Sequence, residues 1–168
     1  MFLKSVLILI MLISSSFASQ DRVGDFSIFG FLSNGIQGVQ AQILDKYNAS
    51  TQSFSMRTIV EVNGQQTSSS EEITANQIMT KELANEYIAR CEEIGGTREQ
   101  IQLMKKQWAT CKLSAQSFEG QSYLSLLNIE QNPENGGFIW LGEFPIFGFG
   151  MIKIPNLVMI LGDMNWGN

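Results

Sequence analysis

The chain has 168 residues, of which 44% are hydrophobic and only 16% charged, with a formal net charge of −5 and no histidine. That balance excludes a disordered or coiled-coil chain. An acidic chain with no basic cluster is a poor binder of nucleic acid and of anionic membrane surfaces, because positive charge supplies most of both affinities. Without histidine there is no serine–histidine or cysteine–histidine catalysis, and two cysteines are too few for a thiolate zinc site, so no metal and no cofactor is expected.

Met1-Phe2-Leu3-Lys4 carries one positive charge, an apolar run follows from Val6 to Ile13, and Ser16-Phe17-Ala18 supplies the small-x-small pattern of a cleavage site. Residues 1–18 therefore read as a secretory signal peptide cut after Ala18. The apolar run is shorter than the roughly 20 residues of a spanning helix, and Ser19-Gln20-Asp21 offers no cysteine for a lipid anchor. The expected organisation is a leader over 1–18 and one globular β-rich domain over 19–168, long enough for a single core. The product is exported, periplasmic or secreted, with no transmembrane segment in the mature chain. Lys4 is the only charged residue removed, so the mature chain is more acidic.

Asp21 to Gly38 is rich in glycine and phenylalanine and reads as an irregular lead-in or a short edge strand. Val39 to Ile43 alternates apolar and polar, the period of a half-buried strand. Lys46 to Ser50 carries turn residues, including the sequon Asn48-Ala49-Ser50, which has no meaning in a bacterium. Phe54, Met56, Thr58, Val60 and Val62 then line one face of the clearest strand, which runs into the hairpin signal Asn63-Gly64. Gln65 to Ile73 is the polar return strand, expected near a sheet edge.

One helix is predicted from Thr80 to Glu93, with Thr80 as N-cap and Leu83, Ala84, Tyr87, Ile88 and Cys91 at helical spacing. Gly95-Gly96 stops it. Ile101 to Leu103 and Trp108 to Leu113 read as strands around Met104 to Gln107, Tyr123 to Ile129 as a further strand, and Asn132 to Gly137 as a loop. From Phe138 onward the only charges are Glu143, Lys153 and Asp163. The apolar runs there suit strands covered on both faces and bounded by Pro145 and Pro155. The fold class is α+β: a curved antiparallel sheet or partial β-barrel of seven or eight strands, with one main helix packed on it.

Cys91 and Cys111 are an even pair in an oxidising compartment and read as a disulfide pinning helix to sheet; two free buried thiols are the alternative. Closing a loop of about 20 residues stabilises by about 3 kcal/mol in the chain-entropy model.

Cys91-Glu92-Glu93-Ile94-Gly95-Gly96, followed by Gln107 to Leu113 and by Trp140-Leu141-Gly142-Glu143-Phe144-Pro145, carries a resemblance. The segment 88–153 resembles a group of bacterial exported β-sheet proteins of mostly unknown function. In them a helix-borne cysteine precedes Gly-Gly, and a Cys-Lys strand and a Trp-x-Gly-x-x-Pro element follow. Their sheets are similar to the open barrel of bacterial lipoprotein carriers. Here Met104-Lys105-Lys106 replaces the usual Pro-Ala-Gly turn. The resemblance implies an envelope location and supports the disulfide.

Trp140, Phe144, Phe147 and Phe149 are the candidate lining of an apolar ligand cavity, with an ordinary filled core as the alternative. The expected function is that of an exported non-catalytic envelope protein binding an apolar ligand or lipid. The alternative is a structural or interaction protein of the envelope whose partner is another envelope protein. A carboxylate-based hydrolase is the remaining catalytic option, and no spacing singles out a pair of acids.

Overall fold

The structure is a computed structural model and describes residues 20–114 and 137–166. The leader, the strand expected at Tyr123 to Ile129 and all of the Asn132 to Gly137 loop except Gly137 lie outside the described residues. Among the described residues, nine strands and one α-helix follow in order. They are β1 (Phe26–Ser33), β2 (Ile36–Asn48), β3 (Ser53–Val62), β4 (Gln65–Thr74), α1 (Lys81–Ala89), β5 (Thr97–Leu103), β6 (Lys106–Ser114), β7 (Phe138–Gly142), β8 (Phe149–Ile154) and β9 (Leu157–Asn165). All nine form one curved, open, antiparallel sheet in the order β4-β3-β2-β1-β9-β8-β7-β6-β5. The α+β class and the curved sheet carrying one helix are as the sequence predicts.

Each hairpin has a local cause. Asn63 and Gly64 both take positive φ, +52° and +75°, which gives the two-residue turn whose twist matches paired strands. Met104 and Lys105 do the same at +50° and +62° without any glycine. Pro145 lies in the β7–β8 connection and Pro155 between β8 and β9, where no ladder needs their missing N–H.

The N-terminal segment departs from the expected lead-in or edge. β1 is a central strand, paired along its whole length to β2 on one side and β9 on the other. Its inward positions, Ser27 and Phe29, are buried, and Ser27 Oγ donates to the Pro145 carbonyl at 3.1 Å. An extra residue in β9 opposite Ile28 and Phe29 shifts the register and bends the sheet there. β2 also outruns its expected end. A bulge between Leu44 and Lys46 resets the register, and pairing continues through Asn48 before the chain turns.

α1 starts where predicted, with Thr80 Oγ1 accepting from the Leu83 N–H at 3.1 Å, but ends at Ala89 rather than Glu93. A turn carries the chain to Gly95, whose φ of +81° closes it. The helix packs on β6 and β7. Its one buried residue is Ala84. The core on that face of the sheet joins Leu44, Phe54, Met56, Ile73, Ile139, Leu141, Phe149 and Ile152, each 2% exposed or less.

Two left-handed non-glycine residues in succession store backbone strain of about 1 kcal/mol each. Lys105→Gly relieves one of them and is expected to raise the urea midpoint, with a gain of up to about 1 kcal/mol. An unchanged or lower midpoint counts against strain at this turn.

Candidate functional site

The fixed point of the helical face is the Cys91–Cys111 disulfide, with Cα atoms 5.4 Å apart. Both cysteines are fully buried. Cys91 sits just beyond α1, and Cys111 lies on β6 opposite Leu141 of β7. Gly96 makes the bond fit. A Cβ placed there would lie 2.6 Å from the Cys111 Sγ and 2.7 Å from the Cys91 Sγ, so only a residue without a side chain passes.

The four aromatic residues singled out from the sequence are all buried, at 6% exposure for Trp140 and 2% or less for the others. They do not converge on one space. Trp140 and Leu141 alternate along β7, so the indole lies on the face away from Cys111 and the helix. Phe149 pairs with Leu141 and lies on the helix side, with its ring centroid 6.4 Å from that of Phe147. Phe144 packs against Trp108 at 5.2 Å and occupies the room left by two glycines. A Cβ on Gly150 would meet the Phe144 ring at 2.4 Å, and one on Gly142 at 2.7 Å. Gly148, at a φ of +73°, likewise leaves its space to the Met79 side chain. The glycines among these aromatics are filled by protein side chains. Asn48 lies exposed at the end of β2, where its Oδ1 accepts from the Ser50 N–H and hydroxyl.

On the outer face Trp140 belongs to a polar cluster absent from the sequence reading. Its Nε1 donates to Glu99 Oε2 at 2.9 Å, and Lys112 Nζ donates to Glu99 Oε1 at 3.2 Å. The same ammonium lies 4.5 Å from the Phe138 ring centroid and 5.2 Å from that of Trp140. The indole hydrogen bond above all holds the Glu99 carboxyl below the usual carboxylate range, with desolvation opposing and Lys112 assisting. Glu92 is also held low, first by its own backbone N–H and then by Arg98. A general acid needs the opposite shift. Among the described residues no group of acids and cysteines could hold a metal ion.

A second clasp joins the N- and C-terminal ends of the described chain. Arg22 Nε lies 2.5 Å from Asp25 Oδ2, its Nη2 donates to the Met79 carbonyl at 2.9 Å, and its guanidinium carbon is 4.9 Å from the Trp166 ring centroid. Lys81 Nζ approaches the same ring at 5.3 Å. A shallow groove lined by Leu83, Glu86, Tyr87, Arg90 and Ile94 runs beside α1, with the Arg90 side chain paired to Glu86 and Glu93.

Two measurements check these assignments. Gly96→Ala is expected to cost about 1–3 kcal/mol of overpacking in the oxidised protein. The cost falls when Cys91 and Cys111 are both alanine, because the colliding sulfurs are gone; an equal cost in both backgrounds would refute the fit. Since the folded Glu99 carboxyl titrates below its unfolded value of about 4.3, its contribution is complete above that pH and is lost as pH falls through the lower folded value. The stability of Glu99→Gln is accordingly expected to fall less steeply below about pH 4.3 than that of the wild type, measured by urea denaturation.

No family model matches the chain, and no curated protein matches it. Two solved structures are similar. One is the complex of MucA and MucB from Pseudomonas aeruginosa, with a TM-score of 0.47 and 10% identity, covering 93% of this chain and 56% of that one. The other is a crystal structure of MucB, with a TM-score of 0.41 and 12% identity, covering 90% of this chain and 56% of that one. The chain spans little more than half the length of the solved chains it is similar to.

Proposed function

We propose that this chain is an exported, non-catalytic protein of the cell envelope, periplasmic or secreted, that works by contact with another envelope protein. The observation that carries the reading is the packing of the aromatic region. Phe144, Phe147 and Phe149 are at most 2% exposed, and the glycines beside them are occupied by Phe144 and Met79. A carrier of apolar ligands needs an enclosed apolar space, whereas this region is packed by its own rings. Export is supported by the leader-like residues 1–18 and by the disulfide, which persists in an oxidising compartment. A role without catalysis is supported by the lack of histidine and by the carboxyl shifts, both of which run downward.

Binding of a lipid or other apolar ligand is the second reading. It is supported by the sparse charge of the chain from Phe138 onward and requires the Phe144 and Phe147 rings to swing aside. Native mass spectrometry on protein taken from its own host separates the two readings. The interaction reading expects ligand-free protein, together with a discrete protein adduct after crosslinking in cells. Bound lipid in the purified protein, with no crosslinked neighbour, would overturn it in favour of the carrier.

A further inference from the structure

The two edges of the sheet among the described residues are β4 and β5, and they are unlike. An unpaired edge is a template for another strand, and proteins ordinarily blunt it with charged side chains, lysine above all, with proline or with a bulge; the charges of β4 are confined to Glu71 and Glu72 at its far end. β4 reads Gln-Gln-Thr-Ser-Ser-Ser-Glu-Glu-Ile-Thr and has no lysine and no proline. Its register with β3 runs unbroken from Ser53–Thr74 to Val62–Gln65, so it has no bulge either. Its first eight residues are all exposed. At the other edge the Arg98 side chain ties β5 back to Glu92 and to the Ala89 carbonyl.

The turn fixes which backbone groups of β4 face outward. In a two-residue hairpin the flanking residues, here Val62 and Gln65, form a hydrogen-bonded pair. Gln65, Thr67, Ser69, Glu71 and Ile73 therefore turn their N–H and C=O toward β3, and Gln66, Ser68, Ser70 and Glu72 turn theirs away. The next outward N–H, that of Thr74, is already taken by Gln77 Oε1 at 2.8 Å.

We infer that β4 pairs antiparallel with the β4 of a second copy of this chain, making a two-fold dimer with a continuous sheet centred on Ser69. In that register Gln66 faces Glu72, Ser68 faces Ser70, Thr67 faces Glu71, and Ser69 faces its own copy across the axis. It is the register that places all four outward residues in hydrogen-bonded pairs. It also sets every acid opposite an uncharged residue. Shifting the axis to Glu71 or Glu72 would set like charges face to face, which is destabilising. An isologous contact of this kind closes on itself and leaves no growing fibre. Because each copy carries a net negative charge, the dimer tightens as salt screens the repulsion. The inference stands apart from the envelope-partner reading, since a dimer with or without another partner satisfies it.

The test is a concentration series by sedimentation equilibrium on the exported chain with its disulfide formed. Wild type is expected to dimerise, more tightly at higher salt. Ser69→Lys places two lysines across the axis and is expected to weaken the dimer by at least about tenfold. Ser69→Glu does the same, and an equal mixture of the two variants regains the dimer through the opposite charges. Ser68→Pro removes one outward N–H without touching the β3 ladder and is also expected to be monomeric. Wild type that stays monomeric at all concentrations and salts overturns the inference. So does a dimer indifferent to Ser69→Lys and Ser68→Pro in variants whose circular dichroism matches wild type, or a Lys–Glu mixture that fails to reassociate.

Discussion

Among the described residues one nine-residue helix packs on a sheet of nine strands, and the way it is held there shapes the rest of the described fold. A helix this short has little stability of its own. It also buries only Ala84 of its own residues. What holds it is tertiary: the Cys91–Cys111 bond at its end, the Thr80 cap at its start, and the Met79 N–H, which donates to the Ile146 carbonyl at 2.7 Å. The bond is made across β6, the strand that also pairs with β7, so a single covalent link fixes the helix over the most apolar part of the sheet. Among the described residues, irregular chain adds further cover. Ile78 and Met79 before the helix and Ile146 and Phe147 between β7 and β8 are as buried as any strand residue.

The described helix does not lie on the outer face, where apolar surface is shielded in another way. One row of paired positions crosses the whole sheet: Gln66, Glu61, Val39, Gly30, Ile160, Met151, Trp140, Lys112 and Thr97. Its rims are polar and its middle is apolar, with Val39 and Ile160 at 46% and 44% exposure. Trp140 is shielded although it lies on this outer face, because Lys112 lies across its ring and Glu99 accepts its N–H. A lysine stem laid over an aromatic ring covers apolar surface while its charge stays wet. The carboxylate that anchors the lysine also satisfies the indole, so one acid serves both needs.

What the sequence showed follows the range of the interactions involved. Local features were legible: the Asn63-Gly64 turn, the Thr80 cap, the alternation of Phe54 to Val62 and the prolines that bound the last strands. The cysteine pair was legible too, because only two cysteines exist. The centrality of β1 was not. Its partner β9 lies more than a hundred residues away, beyond the reach of any local pattern. The Met104-Lys105 turn carries no glycine to announce it. The end of α1 was obscured because Ile88 and Cys91 keep helical spacing past the point where the disulfide and Gly96 bend the chain away. At the candidate site, burial of the four aromatic residues is what an apolar run suggests. Their division between the two faces of the sheet depends on strand register, which composition does not encode. The Glu99–Trp140 contact spans 41 residues and was out of reach for the same reason.

Specificity in this molecule therefore rests on placement of small residues more than on polar chemistry. Gly96 admits the two sulfurs, Gly142 and Gly150 admit Phe144, and Gly38 lies where a Cβ would meet the Phe31 ring at 2.4 Å. Each is a point where backbone and side chain approach more closely than any other residue allows. Close packing of this kind resists rearrangement, because moving one ring strands its neighbours without contacts. A sheet locked in its interior in this way leaves its rim as the place where new contacts form at least cost. The middle of the β4 rim, Thr67 to Ser70, is backbone and hydroxyls, and a strand pairing there orders few rotatable bonds.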